Sequence, residues 1–128
     1  MKPGELRDLS DAELRDHIRD RRRELFGLRF QHATGELDNT ASLRRAKREV
    51  ARALTVARER EIERSLTPRQ RQVLLALAVN GVPIDVLAER LGSTRGALYK
   101  TLHDARQKLR AALIARGLID DDRREEDR

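Results

Sequence analysis

The chain has 128 residues, a formal net charge of +6, 39% charged side chains and only 2% aromatic ones. Its 19 Leu and 15 Ala against 11 Val plus Ile form a helix-favouring mixture that argues against a β-sandwich or barrel. Without Cys there are no disulfides, thiolate zinc sites or thiol nucleophiles, and no apolar run reaches the ~20 residues of a membrane span.

The start, Met1-Lys2-Pro3-Gly4-Glu5, lacks the apolar core of a signal peptide. A cytoplasmic, all-α, basic protein is therefore expected. Ser10-Asp11-Ala12-Glu13 is a capping box that opens the first long helix. Leu14, Ile18, Leu25 and Leu28 then recur at helical spacing, with Phe26 and Phe30 expected to widen that apolar stripe. Arg15, Arg19, Arg22, Arg23 and Arg29 fill the other faces. Gly35 closes the helix, since glycine enters the left-handed region without penalty.

A short polar turn follows, and Asn39 or Thr40 can cap the next helix. That helix carries Leu43, Ala46, Val50, Ala53, Leu54 and Ala57 on one stripe, with Arg44, Arg45, Lys47, Arg48 and Arg52 around the rest. Residues 1–61 thus read as a long antiparallel helical hairpin, whose two-helix core is thin. Around Arg64–Pro68 the register changes, and Thr67-Pro68-Arg69-Gln70 forms a second capping box with Pro at the first helical position. No Gly/Ser linker separates the halves.

Ala88, Gly92 and Leu98 have helix-turn-helix spacing: a small residue at the crossing, a glycine at the turn and an apolar root for the second helix. Leu98, Leu102, Ala105 and Leu109 form its buried stripe and leave Arg95, Tyr99, Lys100, His103 and Arg106 facing out. Such a face suits a DNA major groove. The expected domains are 1–61, 62–118 and a disordered charged tail over 119–128.

Charge distribution points to a polyanion. Residues 1–61 hold 15 basic and 12 acidic groups, residues 62–118 hold 10 and 4, and the last ten hold 3 and 6. Most of the basic groups are Arg, which forks onto phosphate. No catalytic constellation emerges, because His17, His32 and His103 lie on different predicted helices without metal-ligand partners. No enzyme activity, cofactor, metal or small-molecule substrate is expected.

The segments GELRDLSDAEL, ELFGLRFQHATGEL and RRAKREVARALTVARERE make residues 4–61 resemble bacterial large-subunit ribosomal protein twenty-nine. The resemblance implies a structural constituent that lies on 23S rRNA near the peptide exit tunnel, beside neighbouring large-subunit proteins. It implies backbone-phosphate contacts, for which Arg29, Arg44, Arg45, Lys47, Arg48 and Arg52 are the candidates.

LTPRQRQVLLAL, LAERLGSTRGALYKTLHDARQKLRAAL and ARGL make residues 66–118 similar to region four of the sigma-seventy family. That resemblance implies a helix-turn-helix for promoter DNA or RNA polymerase, with Arg95, Tyr99, Lys100 and His103 as DNA-binding candidates. Tyr99 and Asp104 stand where relatives commonly carry basic residues, and no region two is expected in the chain. The ribosomal role is the leading expectation. A DNA-binding transcription accessory is the alternative.

Overall fold

A computed structural model describes residues 1–37 and 39–120. Among the described residues all regular structure is helical: α1 (Pro3–Arg7), α2 (Asp11–Ala33), α3 (Ala41–Ser65), α4 (Pro68–Leu74), α5 (Ile84–Leu91) and α6 (Arg95–Ala115). The all-α class follows from this directly. The chain divides into two compact units, Met1–Glu59 with the stretch from Gly117, and Arg60–Arg116. The tail expected over 119–128 falls, from residue 121 on, outside the described residues.

In the first unit, the Ser10 hydroxyl accepts from the Glu13 amide at 3.2 Å and starts α2. The return bond from Glu13 is absent among the described residues, so half of the expected box forms. At the other end Gly35 takes φ 77°. The Glu36 amide then donates to the Gln31 carbonyl at 2.8 Å and the Gly35 amide to that of His32 at 3.3 Å, which satisfies the last carbonyls. Asn39, rather than Thr40, supplies the cap of α3: its Oδ1 accepts from the Ala41 amide at 2.9 Å.

Leu25 of α2 packs with Leu43, Ala46 and Val50 of α3, flanked by Leu28, Leu37 and Leu54. Arg21 pairs with Glu49 and Arg7 with Glu59. Arg21 and Leu25 of α2 thus meet the Leu43–Val50 stretch of α3, and Arg7 of α1 meets its Glu59. Phe26 and Phe30 do not widen the stripe; they are 73% and 61% exposed. At about 100° per residue, Phe26 lies two turns beyond Ile18 and has rotated off the buried edge.

In the second unit the Thr67 box closes both ways: Gln70 N–H to Thr67 Oγ1 at 3.2 Å, and Thr67 N–H to Gln70 Oε1 at 3.1 Å. α4 continues as one π-helical turn, Leu75–Val79, and stops at Asn80-Gly81. Leu66, Val73, Leu74, Leu87, Ala88, Leu98, Leu102 and Ala105 form one core, with Leu109 half-buried against it. Gly92 takes φ 60°, and the Thr94 hydroxyl accepts from the Ala97 amide at 3.1 Å. α5, a three-residue turn and α6 therefore follow the Ala88/Gly92/Leu98 spacing.

The expected boundary at residue 61 lies inside α3, which runs without a break to Ser65. Nothing in Arg58–Arg64 interrupts a helix, and the first breaker is Thr67-Pro68. Glu61, in the charged run Arg58–Arg64, is buried to 1% exposure. Its carboxylate accepts from the Ser65 hydroxyl at 3.0 Å and pairs with Arg64 and Arg116.

Candidate nucleic-acid interfaces

α3 buries one stripe and turns its arginines the other way. Arg44, Arg45, Lys47, Arg48 and Arg52 are all exposed, and none is ion-paired among the described residues. Arg44, Arg45 and Arg48 line a shallow open depression of about 290 Å³ with Ala41, and Arg52 continues the row one turn on. The spacing of three and four residues places these guanidiniums on one helix face. Unpaired guanidiniums on a rigid helix are pre-set for phosphate oxygens, because no internal carboxylate has to be displaced first.

Arg29 does not join that face. It lies on α2 and lines a separate open groove of about 860 Å³ within the first unit. Arg15, Arg19, Arg22, Arg23 and Phe26 line it too, along with Val50 of α3 and Asp120. Arg19 pairs with Asp16 at 3.2 Å, while Arg15, Arg22, Arg23 and Arg29 are unpaired among the described residues. Only Arg29 of this set stands among the sequence candidates. The signal for the rest is legible: Arg15, Arg19, Arg22, Phe26 and Arg29 repeat at intervals of four, three, four and three.

His17, on α2, is half-buried. Burial, and after it the Arg21 guanidinium, push its pKa below the ordinary histidine value of 6.5. The group stays neutral near pH 7 and adds no charge to either arginine surface.

In the second unit, Arg95, Tyr99 and His103 recur every four residues along α6, with Lys100 beside them, and all four are exposed. Arg95 is already engaged: its Nε lies 3.0 Å from Asp85 Oδ1 on α5. Asp104, one turn beyond Lys100, is also exposed and would repel a phosphate there. The α6 face is thus basic but partly self-neutralised. No cluster of metal-ligating side chains occurs among the described residues, and no helix there is long and apolar enough to cross a membrane.

The class these features define is an all-α basic protein of two helical units, each presenting arginine or lysine on an outward helix face. Comparison with known proteins sharpens it. Residues 4–60 match the family model described as Ribosomal L29 protein, and residues 60–109 match Sigma-70, region 4. The chain is 57% identical over 60 residues to large ribosomal subunit protein uL29 of Mycolicibacterium smegmatis, an alignment covering 47% of this chain and 78% of the relative. It is 53% identical over 62 residues to uL29 of Mycobacterium tuberculosis (48% and 80% covered). Against uL29 of Staphylococcus aureus it is 52% identical over 65 residues (51% and 94% covered). No solved structure matches the chain. The chain belongs to the uL29 family of bacterial ribosomal proteins, and its C-terminal half is similar to sigma region four.

Proposed function

We propose that this protein is a non-catalytic structural constituent of the bacterial large ribosomal subunit, cytoplasmic, binding 23S rRNA near the peptide exit tunnel beside other large-subunit proteins. Residues 1–61 carry that role, and residues 62–118 form a helix-turn-helix extension followed by a charged tail. The observation that carries the reading is the alignment of the first half with most of the length of uL29 relatives. The row of Arg44, Arg45, Arg48 and Arg52, unpaired among the described residues and with Lys47 at its flank, supports it physically, since backbone-phosphate contacts need cations and little base readout. Arg29 contributes from a different surface of the same unit.

Titration of the full chain with a 23S rRNA fragment across a range of salt tests this. Replacing Arg44, Arg45 and Arg48 together with Ala is expected to weaken binding and to lower the salt slope by roughly one unit per lost phosphate contact. Unchanged affinity and slope would remove the α3 row from the interface.

The match of residues 60–109 to sigma region four favours a second reading. In it the extension contacts duplex DNA through Arg95, Tyr99, Lys100 and His103, or docks on RNA polymerase. One such module with few phosphate contacts gives weak, salt-sensitive binding, roughly micromolar or weaker.

A further inference from the structure

We infer that the α2 groove is a distinct site for a single-stranded stretch of RNA, whose backbone lies along its arginines while an unpaired base stacks on Phe26. The inference rests on the reading of RNA as this protein's partner and gives that partner a second, chemically different point of attachment.

An isolated exposed phenylalanine is ordinary. Phe26 is not isolated. Its helical neighbours at four and three residues before and three and four after are Arg22, Arg23, Arg29 and Phe30. It is 73% exposed and sits in the wall of the groove that these arginines also line. A flat apolar ring flanked by unpaired guanidiniums offers a stacking platform and phosphate neutralisation together, the pairing used for single strands. Arg guanidiniums add cation–π and stacking contacts of their own.

The sign of the groove selects its occupant. Among the described residues, five arginines (Arg15, Arg19, Arg22, Arg23 and Arg29) line the groove with one carboxylate, Asp120, and only Arg19 of the five is ion-paired, with Asp16. An apolar or cationic protein surface would leave that charge uncompensated. A duplex would satisfy the arginines but leave Phe26 without a partner, because its bases are stacked and paired and the A-form major groove is too deep and narrow. A single strand satisfies both. The α3 row, by contrast, includes no aromatic residue and is suited to backbone alone.

The full chain lacks Trp, so Phe26→Trp introduces a single fluorescent reporter. The probes are a mixed-sequence single-stranded RNA dodecamer and the blunt duplex formed with its complement. The single strand is expected to quench the reporter, and the duplex to leave it nearly unchanged. In the otherwise natural chain, Phe26→Ala is expected to weaken single-strand binding roughly tenfold and to leave duplex binding within about twofold; Phe26→Tyr restores the single strand. Replacing Arg15, Arg22 and Arg23 with Ala is expected to lower the single-strand salt slope by about two units.

Equal quenching by both RNAs would overturn the proposal, as would Phe26→Ala binding both like the natural chain. Quenching by a peptide of residues 120–128 with none by RNA would overturn it too and assign the groove to the chain's own acidic segment. If the α3 triple variant loses RNA while the groove variants do not, the groove site fails and the ribosomal reading stands. If the natural chain binds neither RNA, both fail.

Discussion

The second unit carries the larger net charge, yet the first unit displays the freer arginines. In Arg60–Arg116, Arg71 pairs with Glu63 at 2.7 Å, Arg95 with Asp85 at 3.0 Å, and Arg64 and Arg116 with buried Glu61. In the first unit Arg7, Arg19 and Arg21 are paired, but Arg15, Arg22, Arg23, Arg29, Arg44, Arg45, Arg48 and Arg52 are unpaired among the described residues. Net charge alone therefore does not say how many arginines are free. In the second unit carboxylates engage Arg64, Arg71, Arg95 and Arg116 and leave Arg69, Arg90, Arg106 and Arg110 unpaired among the described residues.

The largest effect is expected at Glu61. Its buried carboxylate joins the end of α3 to the end of α6 within one unit, through Arg64, Ser65 and Arg116. Glu61→Ala is expected to destabilise the second unit by about 2 kcal/mol, the scale of a hydrogen-bonded charge pair whose arginines remain partly hydrated. Glu61→Gln keeps a partner for the Ser65 hydroxyl and should lose less. Chemical denaturation of the full chain, followed by amide exchange resolved to residues, reads the effect; equal loss in both units would show that Glu61 supports more than its own.

The α6 face offers a smaller effect. Arg95→Ala with Lys100→Ala should abolish the weak duplex-DNA binding without unfolding the unit, since both side chains are exposed. Asp85→Asn should do the opposite: an exposed pair is worth about 0–1 kcal/mol, so freeing Arg95 raises DNA affinity up to about fivefold. Titration at low salt checks both. No DNA binding by the natural extension would leave it a protein-docking element.

The smallest effect concerns His17. Its folded pKa lies below the unfolded value of 6.5, because burial and Arg21 disfavour the imidazolium. Below about pH 6.5 the unfolded chain binds the proton more readily, so stability of the first unit falls as pH drops toward the folded pKa. His17→Gln should flatten that part of the stability–pH curve, as thermal melts between pH 7.5 and 5 would record.

Local chemistry made much of this legible from sequence. Capping residues, glycines at helix ends and the stripes of α3 and α6 are short-range signals, and they locate the elements to within a few residues. Phe26 looks apolar and at helical spacing, but helical rotation over about two turns from Ile18 takes it off the stripe. Two further features were hidden because they depend on what else reaches the same place. Glu61 sits in a run of charges, and Arg116, far along the chain, joins the local Arg64 and Ser65 in making its burial tolerable. Arg95 reads as a free DNA contact until α5 brings Asp85 against it. The α2 groove differs: its repeat was visible, but its arginines look like ordinary solvated surface until the unpaired ones are told apart from Arg19 and Arg21.

Whether the first unit ties this protein to the large ribosomal subunit is read by sedimenting the tagged full chain from a bacterial lysate through a sucrose gradient. Comigration with large subunits, release by high salt, and a shift to the top of the gradient for the Arg44/Arg45/Arg48→Ala variant are expected. A natural chain that stays at the top of the gradient while binding promoter duplex tightly and sequence-specifically would contradict it.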